Sequence, residues 1–133
     1  MLLALAEQQG IRSDVIPGIA TGFCGGISRT GNLCGAVSGG VMGLGLAFGR
    51  HTPQDSRDPA YTAVQTFLAR FAARFGSLTC LELTGCHLGT PAGQAKFQQN
   101  RATIDCPGFV TEAARIAWEL IQSDRETEDD PTE

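Results

Sequence analysis

The sequence predicts an all-α fold, a compact bundle of about five to six helices around a central glycine-rich helix. Three observations lead there. No run alternates apolar and polar residues with β-branched enrichment. Val64, Phe67, Leu68, Phe71 and Phe75 recur at helical spacing and make one continuous apolar face. Glycines, prolines and small polar residues then punctuate the chain where helices would start and stop.

Taken in order, the first helix covers about Leu2 to Gln9 and stops at Gly10. A second follows Ser13 as N-cap, carries Pro17 in its first turn and reaches Phe23, where Gly25 and Gly26 end it. The third, capped by Asn32, runs from about Leu33 to Phe48. Gly35, Gly39 and Gly43 recur there every four residues, a smooth stripe for a close neighbour. Each costs roughly 1 kcal/mol in helix propensity, which close packing must offset. After a loop over 50–58, Asp58 caps the aromatic helix, Pro59 takes its first position and Gly76 closes it. Ser77 caps a short helix through Cys80 to Leu83, and Thr90-Pro91 opens another to about Asn100. The last follows Asp105 and Pro107, with Val110, Ala113, Ala114, Ala117, Trp118 and Ile121 on one side.

The 133 residues suit a single domain over residues 1–123, with an acidic disordered tail over 124–133. The net charge of −4 belongs to that tail; without it nine bases face eight acids, scattered singly. A nucleic-acid partner needs a clustered basic face, so none is expected. Thr30 to Gly49 is an uncharged stretch long enough to span a bilayer, but its glycines and missing interfacial anchors favour a buried helix, and no membrane insertion is expected. The first residues show neither a basic region nor a signal-peptide pattern, and the five cysteines, an odd number, suit free thiols in a reducing cytoplasm.

Placed on these helices, Cys34, Cys80 and Cys106 each fall at or within a first helical turn. A helix N-terminus carries unpaired N–H donors and partial positive charge, which favour a thiolate and lower its pKa. The expectation is three sulfurs aimed into a shared electropositive pocket, as metal ligands or redox groups. Cys24 lies at the end of the second helix, and Cys86 sits beside His87 in a loop. There is no CxxC pair, so neither a zinc-finger spacing nor a thioredoxin-type dithiol is present. His87 is a candidate nitrogen ligand beside Cys86, and His51 a weaker one.

Other chemistries lack their parts. Ala36-Val37-Ser38-Gly39-Gly40 is close to a hydrolase nucleophile elbow but lies within a helix rather than after a strand. Lys96 is the only lysine and no P-loop motif surrounds it. Gly43-Leu44-Gly45 lacks the third glycine of a dinucleotide fingerprint, and Asp55 and Asp58 share a loop without an apolar pocket.

Phe23-Cys24-Gly25-Gly26, then Gly31-Asn32-Leu33-Cys34-Gly35-Ala36-Val37-Ser38-Gly39, then Gly76-Ser77-Leu78-Thr79-Cys80, and finally Cys106 resemble the CGAxxG family, the redox-active C_GCAxxG_C_C proteins. The resemblance spans about Leu2 to Ile121. It implies a small helical protein whose four signature cysteines are redox active or hold a metal or iron–sulfur centre. Cys34, Cys80 and Cys106 occupy three signature positions. The family's first cysteine belongs in the opening helix, where this sequence reads Met1-Leu2-Leu3. Either it lies upstream, or Cys24 or Cys86 supplies the fourth thiol.

Three readings follow. In the first, Cys34, Cys80 and Cys106, with Cys24 or Cys86 as fourth ligand, hold an iron–sulfur cluster or a single metal ion and pass electrons to a redox partner protein. The second is metal-free thiol–disulfide chemistry, in which Cys34 attacks and Cys80 or Cys106 resolves. In the third the cysteines are inert, and the glycine stripe serves a homodimer.

Overall fold

Three glycines on one helix decide how the bundle closes. In the computed structural model, which describes residues 1–128, α1 (Leu2–Gln8) lies across α3 (Gly35–Phe48). A Cβ at Gly39 would lie 2.6 Å from Met1 Cβ, and one at Gly43 would lie 2.3 Å from Leu5 Cδ1. On the neighbouring face, a Cβ at Gly40 would lie 2.3 Å from the Phe67 ring of α4 (Asp58–Phe75). The stripe read from the sequence is therefore met from within the chain, Gly39 and Gly43 by α1 and Gly35 by Phe23 and Cys24, while Phe67 covers Gly40 beside it.

α7 (Cys106–Glu128) completes the central group by packing on α3 and α4. Leu5, Val37, Leu44, Phe67, Phe71, Ala113, Ile116 and Ile121 are at most 1% exposed and form the core. Phe75 meets Phe109 edge-on with ring centroids 4.9 Å apart, and Phe71 lies 4.8 Å from Phe75. Such offset pairs add about 0.5–1.5 kcal/mol beyond their area. Of the face expected on α7, Ala113, Ala117 and Ile121 are buried, whereas Val110 is exposed.

The all-α class holds: among the described residues there are helices and turns, one isolated bridge and no strand. Among the described residues there are seven α-helices rather than about five to six; α5 (Cys80–Thr84) and α6 (Pro91–Gln99) are the two short helices expected, and α2 (Cys24–Ile27) is a four-residue one that was not. The segment read as a second helix is instead a turn, a cis Ile16–Pro17 bond and a 3₁₀ helix over Gly18–Phe23. Several caps also differ. Cys34, not Asn32, precedes α3, and Asp58 is the first residue of α4 behind Arg57. Thr79, not Ser77, caps α5 by accepting the Glu82 N–H. Thr90 caps α6 as expected, accepting the Gly93 N–H.

The expected disordered tail is corrected over its first half, since α7 continues through Glu128. Arg125 lies over the Trp118 ring, 5.7 Å from its centroid, and helps hold that extension. The rest of the expected tail, 129–133, lies outside the described residues. No helix among the described residues is long and apolar enough to cross a membrane.

Candidate functional site

Two helix starts are tied together by a single bridge. Leu33 and Thr79 pair in antiparallel fashion, with Cys34 N–H donating to Leu78 C=O and Cys80 N–H to Asn32 C=O, both at 2.8 Å. Each strand of this pair then turns into a helix. Cys34 becomes the N-cap of α3 and Cys80 the first residue of α5. Side chains one residue beyond a non-hydrogen-bonded pair share a face, so the bridge sends both thiols to the same side. Cys106 opens α7, whose first turn is capped by Asp105 Oδ1 accepting the Gly108 N–H at 2.9 Å. The helix-start placement of all three cysteines agrees with the sequence reading.

Cys24 reaches them by a route hidden in the sequence. Gly25, Gly26, Ile27, Ser28 and Arg29 all have φ between 53° and 68° or just above, at 69° for Gly26, so the chain makes a left-handed turn directly after Cys24. Left-handed backbone costs a non-glycine residue roughly 1–2 kcal/mol, and Ile27 is β-branched. Hydrogen bonds hold the turn: Ser28 Oγ to Gly22 C=O, Thr30 Oγ1 to Gly26 C=O, both 2.9 Å, and Asn32 N–H to Gly26 C=O. It presses Gly26 against Cys80, where a Cβ would come within 2.4 Å of Cys80 Cβ. It also sets Cys24 against Gly35, whose absent Cβ would lie 3.5 Å from Cys24 Cα.

The result is a cavity of about 380 Å³ bordered by Cys24, Cys34, Cys80 and Cys106 together. Phe23, Leu83, Leu88, Phe97, Phe109 and Val110 supply much of its wall, and among the described residues no charged side chain lines it. Cys80 is buried, Cys34 and Cys106 are half-buried, and Cys24 is exposed. The expected shared pocket exists, and the side chains that line it are largely apolar. Its walls come from elements far apart in the chain, which is why the pattern of helix starts missed them. Phe97 did leave a signal, as the one large apolar residue of an otherwise small and polar α6.

The environment also reverses the expected thiol acidity. Burial first, then the neighbouring Cys34, push the Cys80 thiol above the ordinary range. Burial, then Cys34 and Cys80, do the same to Cys106, and Arg101 opposes them. Removing an anion from water outweighs the fractional charge of a helix start, and α5 has only five residues to contribute one.

The remaining candidates stand apart. Cys86 is 1% exposed, donates its thiol to Thr84 C=O at 3.4 Å and does not line the cavity. His87 is exposed, and its Nδ1 accepts the Gly89 N–H at 3.1 Å, outside the cavity. His51 is an exposed loop residue whose N–H donates to Asp55. Ser38 is buried in α3 and donates to Cys34 C=O, consistent with the exclusion of a nucleophile elbow.

Four thiols suit a soft metal or an iron–sulfur centre by ligand chemistry. Among the described residues no group of three or more His, Cys, Asp or Glu side chains stands where it would hold a metal ion. What the arrangement brings together is four thiols around one largely apolar cavity.

A family model described as "Putative redox-active protein (C_GCAxxG_C_C)" matches residues 1–120. No curated protein and no solved structure matches the chain.

Proposed function

The chain belongs to the C_GCAxxG_C_C family, and from that premise we propose that it works by thiol–disulfide exchange, with Cys34 as the attacking thiol and Cys80 as the resolving one. One observation carries the reading: four cysteines from four separate segments line the same apolar cavity. Cys34 is the neighbour that acts most strongly, after burial, on both Cys80 and Cys106. The bridge between Leu33 and Thr79 supports Cys80 as its first partner.

The exchange balances as follows. The Cys34 thiolate attacks one sulfur of a partner disulfide; that S–S bond breaks, and the other partner sulfur leaves and takes up a proton. Cys80, losing its proton, attacks the Cys34 sulfur and expels the second partner thiol. A Cys34–Cys80 disulfide forms, and two electrons and two protons have moved to the partner. The same steps run backwards from a partner dithiol, in the direction set by the two potentials. Cys106 remains as an alternative resolving thiol, and exposed Cys24 stands where a partner meets the cavity.

The test is thiol counting on metal-analysed protein. Treatment of the reduced chain with diamide should lower the titrated thiols from five to three, with a Cys34–Cys80 link found by peptide mapping. Cys34→Ser should abolish that loss. Stoichiometric iron with visible charge-transfer absorption in anaerobically purified protein would overturn the proposal in favour of a cluster. Five thiols that neither oxidise nor alkylate in the folded state would overturn it in favour of an inert module.

A further inference from the structure

We infer that the cavity beside Cys34 and Cys80 takes a neutral, ring-sized quinone, which accepts the two electrons of the dithiol. The inference rests on the thiol–disulfide reading and adds the oxidant.

Size, polarity and shape each narrow the ligand. A volume of about 380 Å³ falls at the lower end of the usual range for small-molecule sites, roughly 300–1,000 Å³. That holds a substituted ring, not a nucleotide or a folded peptide. Among the described residues no charged side chain lines the cavity, so a charged oxidant would lose its hydration with no side-chain counter-charge to replace it. Among the described residues Thr84 is the one hydroxyl residue of the lining, and its oxygen is already engaged, donating to Cys80 C=O at 2.7 Å and accepting the Cys86 N–H at 3.2 Å. Phe23, Phe97 and Phe109 offer aromatic rings to the space, which suits a flat unsaturated ligand by stacking or edge contact. A ligand with these properties that also oxidises a dithiol by two electrons is a para-quinone.

The step is balanced without a further reagent. The S–H bonds of Cys34 and Cys80 break and one S–S bond forms between them. The two electrons and two protons released convert both quinone carbonyls to phenolic hydroxyls. Electrons that arrive from partner dithiols by exchange thus leave through the cavity as hydroquinone.

The experiment mixes anaerobic, reduced, full-length protein with duroquinone, whose fully substituted ring disfavours a lasting thioether. The expected result is one hydroquinone per chain, loss of two thiols, and a rate that saturates with quinone concentration. Val110→Arg, which puts a guanidinium at the rim, should lower the rate at low quinone concentration at least tenfold. Phe97→Leu, which keeps the wall apolar but removes a ring, should raise the half-saturating quinone concentration several-fold with the limiting rate little changed. Melting curves report whether each variant is folded. If diamide closes the disulfide in the wild-type chain but duroquinone does not react, reacts without saturation, or is unaffected by both variants, the quinone inference fails alone. If diamide closes no disulfide, the exchange reading itself fails.

Discussion

A methyl group at position 26 has no place to go. It would approach Cys80 Cβ to 2.4 Å and the Asn32 carbonyl to 2.8 Å, on a backbone with φ of +69°. Gly26→Ala is therefore expected to cost about 1–2 kcal/mol from the left-handed backbone alone, with a further loss as Cys80 is displaced. Two measurements check it: a lower denaturant midpoint, and faster alkylation of Cys80 than in the wild type. At the same scale, the raised thiols make stability depend on pH. Cys80 and Cys106 hold their protons more tightly folded than unfolded, so the folded chain binds more protons once pH passes the ordinary thiol range near 8.5. Their contribution is fully present below that range and is lost as pH rises through the raised values. Denaturation of reduced protein between pH 7 and 10.5 should show the decline, and the Cys80→Ser, Cys106→Ser double variant should flatten it. Acidity was the residue-scale property least legible in the sequence. Position at a helix start can be read to within two residues from Asn32, Ser77 and Pro107, although Cys34 and Thr79 are the caps, but burial depends on walls that local order does not reveal.

Among the elements, α3 separates two roles of glycine that look identical in sequence. Gly43 and Gly45 lie two residues apart in the same helix. A Cβ at Gly43 collides with Leu5, whereas one at Gly45 meets nothing within 4 Å. Gly45→Ala is expected to stabilise by up to about 1 kcal/mol through helix propensity. Gly40→Ala and Gly43→Ala gain the same propensity but overpack Phe67 and Leu5, at about 1–3 kcal/mol, so each should be net destabilising. Thermal denaturation of the three variants decides it, and a stabilised Gly43→Ala would show that α1 does not sit on the stripe. Elements with complete local signals were legible: α4 from its apolar periodicity, α6 from Thr90-Pro91, and α7 from Asp105 and Pro107. The turn after Cys24 was not. Paired glycines there looked like a helix end, yet Ile27, Ser28 and Arg29 continue the left-handed path because Ser28 and Thr30 side chains bond its carbonyls and Gly26 is pinned on Cys80. The Leu33–Thr79 bridge was equally hidden, since two residues without alternation carry no strand signal.

For the whole molecule, the cavity is where distant parts of the chain depend on one another. Its cysteines stand at the starts of α2, α3, α5 and α7, so a bond between two of them constrains segments that the core alone must otherwise hold together. Closing Cys34 to Cys80 would fix a loop of roughly 45 residues, which in the chain-entropy treatment stabilises by up to about 4 kcal/mol, less any native strain. The oxidised chain is therefore expected to unfold at a higher denaturant concentration than the reduced chain. The difference should vanish in Cys34→Ser and persist in Cys86→Ser, because Cys86 does not line the cavity. Its sign also bears on redox behaviour. Stabilising the disulfide form relative to the dithiol lowers the reduction potential and makes the pair easier to oxidise, whereas strain in the bond acts the other way. An oxidised chain that unfolds before the reduced one would mean that the Leu33–Thr79 bridge and the left-handed turn hold the sulfurs apart. Exchange would then require those segments to move. Paired denaturation curves, taken with and without reductant, distinguish the two cases directly.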